Sequence, residues 1–304
     1  MSAVRLFGIV LLFLVLAGYA IWTSERFQNL IQGVSQARLS AALGRPVAFR
    51  TVEVRFFPPS VSLADVRIAN DSRLSGDLFS AEQITIGGGV SLVGRELRLG
   101  RIRAVRPSVS LVQLPDGSFN LPPGLSGPSK GGLKLQIGSV LIQQGVLVFQ
   151  GRKMGIDGRF DDFAAELSSP TPDRYNGSFF SRRATVKIGG NEPLVMQIAS
   201  RFQIDSRRGV TFDEVALSGA FGRLRASGSL ENPGRMNAVL FASGEVSIDE
   251  IERIFHSELG FSGGASVRAR VEIPPGGGFR IVGDLAAPRV RSNQFLFEDL
   301  TASV

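Results

Sequence analysis

This sequence predicts a mainly β protein: an N-terminal transmembrane helix followed by an elongated, curved antiparallel sheet shaped as a groove, with a few short helices. Three observations predict it. Leu6 to Trp22 is an unbroken apolar run of 17 residues; from Val47 onward, short stretches alternate apolar with polar residues; and Pro and Gly breakers divide those stretches. Nine strand-like segments fall before the middle of the chain, so a sheet is expected to account for most of its 304 residues.

The apolar run sits at the short end of the length needed to span a bilayer, about 17–25 residues. It follows Arg5, and Tyr19 and Trp22 suit the headgroup level. The alternative is a cleaved signal peptide leaving at Gly18-Tyr19-Ala20. Retention is the expectation, because Ile21 and Trp22 continue the run. Arg5 on the near side, with Glu25 and Arg26 nearly cancelling on the other, puts the short N-terminus in the cytoplasm and the bulk on the exported side of a single-pass anchor.

Helical spacing replaces the run from Ser24. Phe27, Leu30, Ile31, Val34 and Leu43 share one side of an amphipathic helix over residues 25–45, and Gly44 and Pro46 end it. The expected division is an anchor over 1–24, this helix, an N-terminal β unit over 46–120, a linker over 121–132 (LPPGLSGPSKGG) and a repetitive β region over 133–304.

Period-two segments supply the strands: Val52, Val54 and Phe56; Val61 and Leu63; Val66 and Ile68; Ile84 and Ile86; Leu97 and Leu99; Val109 and Leu111; then Leu135 and Ile137, Val140 and Ile142, Val146 and Val148. Pro58-Pro59, Gly87-Gly88-Gly89, Pro107 and Pro115-Asp116-Gly117 mark the turns, bulges and edges between them. One helix is expected late in the chain, with Ser247 and Glu250 as its capping box, Ile248, Ile251 and Phe255 on one face, and Gly260 at its end. LRASGSLENP from Leu224 recurs as FRIVGDLAAP from Phe279, 55 residues on, as in a sheet that grows by adding similar units. The strand-like Phe295, Phe297 and Leu300 are followed by no capping segment, as expected of either a fragment or an unusually short member of such a repeat architecture.

Composition narrows the chemistry. With no cysteine, thiol catalysis, disulfide scaffolds and Cys-ligated zinc are out, and His256 alone makes no multi-histidine metal site. The net charge of +7 is spread as alternating arginines such as Arg98, Arg101, Arg103 and Arg106, which reads as a wet strand face and not as a nucleic-acid footprint. Nucleophile elbows, Walker loops, dinucleotide loops and calcium loops are absent, and Asp161, Asp162 and Glu166 have no partner in sequence for acid/base work. The chain is therefore expected to be no enzyme and to need no cofactor. Its 22 Phe against 2 Tyr and 1 Trp are rings without a polar handle.

Ala42-Leu43-Gly44-Arg45-Pro46-Val47, followed by FFPPSVSLADVRIAN over 56–70, resembles the N-terminal region of the AsmA family, within the AsmA/TamB-like superfamily of bacterial envelope proteins. Phe79-Ser80-Ala81-Glu82, Pro107-Ser108-Val109, the Asp116-Gly117 turn ending in Asn120, and Gly145 within IQQGVLVF extend the likeness. Beyond Phe149 it is carried by Gly-x-Leu-x-x-Pro units and the final FEDLTASV. The resemblance implies an inner-membrane protein facing the periplasm, with an elongated, taco-like β-groove that binds phospholipid acyl chains and conducts phospholipid toward the outer membrane. It supplies no catalytic residues. Candidate groove-lining residues are Val52, Val54, Phe56, Ile84, Ile86, Leu97, Leu99, Leu135, Ile137, Val146 and Val148. The competing expectation is a non-enzymatic scaffold that binds other envelope proteins and affects outer-membrane protein insertion.

Overall fold

A computed structural model describes residues 25–93, 96–122, 134–153, 155–171, 174–205, 208–231, 237–256, 260–274, 280–292 and 295–303. The anchor expected over 1–24, and all but the first two residues of the 121–132 linker, lie outside the described residues. No described helix is long and apolar enough to cross a bilayer.

Helix α1 (Glu25–Leu43) comes first, ending two residues before the expected boundary where Gly44 takes a positive φ of 65°. Then follow β1 (Val47–Ala48), β2 (Thr51–Phe56), β3 (Pro59–Ala69), β4 (Asp77–Val93), β5 (Glu96–Val105), β6 (Ser108–Val112), β7 (Lys134–Gly151), β8 (Ile156–Thr171), β9 (Arg174–Ile188), β10 (Leu194–Asp205), β11 (Gly209–Gly219), β12 (Gly222–Glu231) and β13 (Asn237–Ser247). Helix α2 (Ile248–Phe255) precedes β14 (Phe261–Ile273), β15 (Arg280–Ser292) and β16 (Phe295–Ser303). All sixteen strands belong to one curved sheet, and a path of fourteen of them runs β1-β3-β4-β5-β7 and then in chain order to β16. At about 4.8 Å per strand that path spans about 65 Å.

The sheet is mixed, which corrects the antiparallel expectation. β5 and β6 both pair with β7 in parallel, Leu99 beside Ile137 and Val109 beside Leu147. The chain between β6 and β7 is long enough to carry the crossover that parallel pairing requires, whereas β6 continues β5 in the same direction across Arg106 and Pro107. Hydrogen bonding thus runs without a gap from β5 and β6 into β7.

Several expected strand boundaries are bulges inside longer strands. Val61 to Ile68 is one strand, and Leu135 to Val148 is one strand of 18 residues. Where period two breaks, the inward phase resumes after three residues: Leu63 to Val66 in β3, Ala81 to Ile84 in β4, Ala104 to Pro107 between β5 and β6, Ile142 to Gly145 in β7, Phe160 to Phe163 in β8, and Ser181 to Ala184 in β9. Asp65, Arg106, Gln144 and Asp162 carry positive φ of 47–55° at these breaks, a region open mostly to small polar residues and glycine. Neighbouring strands break in register, so together they crease the sheet.

Compact packing is confined to one margin of the sheet. Leu43 of α1 joins Val47, Phe49 and Val66, while Ile251 and Ile254 of α2 pack on Ala184, Met196 and Phe221. Gln32 and Gln36 of α1 both donate to the Phe49 carbonyl, at 2.7 and 2.9 Å. At α2 the Ser247 hydroxyl accepts from the Glu250 amide as expected, but the helix ends at His256 in the left-handed region and not at Gly260. Asp249 and Glu252 then accept backbone N–H groups of Gly263, Gly260 and Phe261, which ties the helix to β14. Away from that margin most strand residues are half-buried or exposed, and among the described residues no second layer stands over them.

Candidate functional site

Strand registers carry rows of side chains across the sheet, because residues opposite one another share a face. One row runs from Val54 through Val61, Ile86, Ile102, Val140, Leu167 and Gly177 to Phe202, Phe212, Gly228, Leu240, Val271 and Ile281. A parallel row runs from Val52 through Leu63, Ile84, Ala104, Ile142, Ala165 and Phe179 to Ser200, Val215, Ala226, Ala242, Ala269 and Gly283. These two rows form one apolar face interrupted by a single hydroxyl, Ser200, whose Oγ has no hydrogen-bond partner.

Ring contacts confirm that the face continues across the crease. Phe179 meets Phe163 in a stack with centroids 5.5 Å apart and meets Phe160 edge-on at 5.9 Å, although Phe160 and Phe163 are an odd number of residues apart. Phe202 and Phe212 face each other at 6.3 Å. Val54, Ile86, Ile102, Val140, Ile142, Leu167, Phe179, Phe202, Phe212, Leu240 and Val271 are all half-buried, and Ile281 is exposed. Side chains sealed between two stacked sheets would be dry on both sides. This face is not sealed.

Of the sequence-predicted lining residues, Val52, Val54, Ile84 and Ile86 are brought together on the apolar face. Leu99 and Ile137 register with each other beyond Gly100 and Gly138, and both are half-buried. Val146 and Val148 point the other way: they register with Ser108 and Ser110, and Val148 with Arg159, while Leu147 and Phe149 take the apolar side. The side chains of Phe56, Leu97 and Leu135 lie outside the described set. Phe179, Phe202, Phe212, Leu240 and Val271 were missed as lining residues, although period two in their own strands carries the signal.

The opposite face is polar and carries shallow, open depressions. A hollow of about 930 Å³ lies over β10 to β15, lined by Arg201, Glu214, Arg225, Phe241, Ser243, Arg268, Arg270 and Val282 among others. A second, of about 490 Å³, continues from Arg201 and Glu214 toward Phe180, Ala164 and Leu141. A hydrogen bond from Arg201 holds the Glu214 carboxyl below its ordinary range, and the same bond raises the arginine. At the far end of the sheet, hydrogen bonds from the side chain and backbone of Arg73 hold Asp71 well below the usual carboxylate range, with Arg45 adding to the effect. Among the described residues no cluster of His, Asp or Glu is placed to hold a metal ion.

No family model, curated protein or solved structure matches this chain.

Proposed function

We propose that this chain is a membrane-tethered, non-enzymatic lipid-handling protein of AsmA type, whose apolar sheet face is the wall of a groove for phospholipid acyl chains moving toward the outer membrane. One observation carries the reading: two rows of mostly Val, Leu, Ile, Phe, Ala and Gly, broken by the one hydroxyl of Ser200, cross the sheet and remain largely half-exposed, with no second sheet over them among the described residues. Soluble proteins rarely leave a continuous apolar patch of that extent uncovered. The greasy Leu6–Trp22 segment supplies the tether in the inner membrane, with the sheet on the periplasmic side.

Helices α1 and α2 close one margin of the face and leave the rows from Val54 to Ile281 uncovered. Acyl chains need no hydrogen-bonding partners, so a wall of hydrocarbon side chains suffices to hold them. The experiment is photocrosslinking in cells from Val54, Ile86 and Phe202, with Val148 on the opposite face as control. Phospholipid adducts from the first three and none from Val148 are expected; lipid-free protein at all four positions would overturn the reading.

A second reading, an assembly factor that binds envelope proteins by strand addition, is favoured by β16. Among the described residues that strand pairs only with β15 and exposes Phe295, Leu296 and Phe297. Protein adducts from position 296, in place of lipid adducts from the sheet face, are what it predicts.

A further inference from the structure

Helix α1 turns its polar side to the sheet, the reverse of an ordinary packed helix. Gln32 and Gln36 donate to the Phe49 carbonyl at 2.7 and 2.9 Å, and the Ser40 hydroxyl accepts from the Val47 amide at 2.9 Å. Leu43 adds a hydrocarbon contact in the last turn. On the other side, Val34 is 49% exposed, and Ala37, Arg38 and Ala41 are exposed with it. Val34 and Leu43 are nine residues apart, about two and a half helical turns, so they lie on opposite sides of the helix. That corrects the shared side expected of them from the sequence.

The outward side has the composition of a buried one. In the sequence Phe27, Leu30 and Ile31 precede Val34 by seven, four and three residues, the spacing of one helical stripe, and Ala41 follows it by seven. Among the described residues nothing packs over Val34, Ala37 or Ala41. What covers them is indicated by the chain just before the helix. The apolar run ends at Trp22, three residues before α1 begins at Glu25, a span of about 11 Å at full extension. With that run in a bilayer, the helix begins at headgroup level. Its 19 residues span about 28 Å, with Val34 about 14 Å and Ala41 about 24 Å from the start. Standing upright would carry both into water, whereas lying flat puts the whole stripe against lipid.

We propose that α1 is an interfacial helix that lies flat on the bilayer holding the tether. Val34, Ala37 and Ala41 dip into the boundary between headgroups and acyl chains, and Arg38 reaches lipid phosphates at the edge of the stripe. Gln32, Gln36 and Ser40 hold the sheet on the far side. The proposal rests on the tether of the preceding reading and adds a fixed posture to it. A tether alone lets the sheet swing freely; a flat helix bonded to residues 47 and 49 does not.

The chain has no cysteine, so single sites take a label cleanly. Val34→Cys, Ala41→Cys, Leu14→Cys and Thr211→Cys variants of the whole 304-residue chain each carry an environment-sensitive fluorophore. Leu14 lies midway along the apolar run, and Thr211 is exposed on β11. Each is reconstituted in vesicles of phosphatidylethanolamine and phosphatidylglycerol that contain nitroxide lipids with the spin at a shallow or a deep acyl position. Shallow nitroxides should quench the labels at 34 and 41 alike, at least about threefold more than the label at 211, as for a helix sunk about 5–10 Å into the boundary. Deep nitroxides should quench the label at 14 most. Labels at 34 and 41 quenched no more than at 211, with the label at 14 still quenched, overturn the flat helix and leave the tether standing. Quenching at 34 but not at 41 means an upright helix, and a blue-shifted but unquenched label means a protein cover such as a second copy; either result overturns the proposal. A label at 14 that no nitroxide quenches refutes the tether itself and this docking with it.

Discussion

Truncating Phe202 and Phe212 to alanine separates an open apolar face from a dry interior. The rings sit opposite each other on β10 and β11, 6.3 Å apart and tilted at 58°, and both are half-buried. In a sealed core each truncation would cost about 3–5 kcal/mol, because the lost transfer energy is compounded by a closed cavity. On an open face water fills the gap, and what is lost is part of the transfer energy plus a ring pair worth about 0.5–1.5 kcal/mol. We expect about 1–2 kcal/mol for each variant in lipid-free protein, with the double variant less costly than the sum because the ring pair is removed once. Urea unfolding followed by far-UV circular dichroism reads this directly. Adding phospholipid should then raise the wild-type stability, by about 2.7 kcal/mol at a hundredfold excess over the dissociation constant, and raise the double variant less. Losses of 3–5 kcal/mol each without lipid, together with no lipid-dependent gain, would refute the open-face argument.

Three other sites give sharp outcomes. A side chain at Gly145 would overlap the buried Phe163 ring, so Gly145→Val should destabilise by about 1–3 kcal/mol through overpacking, read as a lowered melting temperature; an unchanged melt would mean the crease is not packed as described. Asn120 is fully buried, accepts from the Val112 amide at 2.8 Å and donates to the Asn70 Oδ1 and the Ser110 carbonyl at 2.8 and 2.9 Å; Asn120→Ala should cost about 2–4 kcal/mol, with hydrogen exchange quickening first around residues 110–120. Asp71 titrates well below its unfolded value of about 3.9, so the stability it contributes is complete above that value and is lost as pH falls through its lower folded value. Between pH 6 and pH 2 the wild type should therefore lose protection in the 70–76 loop, whereas Asp71→Asn should lack that protection already at pH 6 and respond less to acid; parallel pH profiles would exclude Asp71 as the group responsible.

Which parts of this fold were legible in the sequence follows from how far each signal reaches. Local alternation marked the strand residues from Val52 to Leu111 and from Leu135 to Val148, and the Ser247–Glu250 capping box located α2. Pairing direction was not legible, because the parallel match of β5 with β7 depends on where a long connection returns the chain. Facing was legible only between breaks. Val146 and Val148 look like a continuation of Val140 and Ile142, yet Gln143 and Gln144 both spend a position at the crease and so put Leu147 and Phe149 on the apolar side.

The breaks that confuse a period-two reading also bend the sheet. Val66, Ala81, Pro107, Gly145, Phe163 and Ala184 resume the inward phase on successive strands, and all six are buried, whereas the apolar rows beyond them are half-exposed. Residues lining the valley of a fold are shielded by both flanks, so this burial pattern means the sheet creases toward its apolar side. Each break places two consecutive residues outward, such as Glu82 with Gln83 and Asp161 with Asp162, and these make the polar contacts of the ridge: Glu82 with Arg106, and the Asp161 carbonyl accepting from the buried Ser181 hydroxyl at 3.0 Å. A single strand breaking phase would turn its apolar residues to water. Neighbours breaking at the same level keep one oily face continuous while turning it inward, which is the geometry a trough for hydrocarbon chains requires.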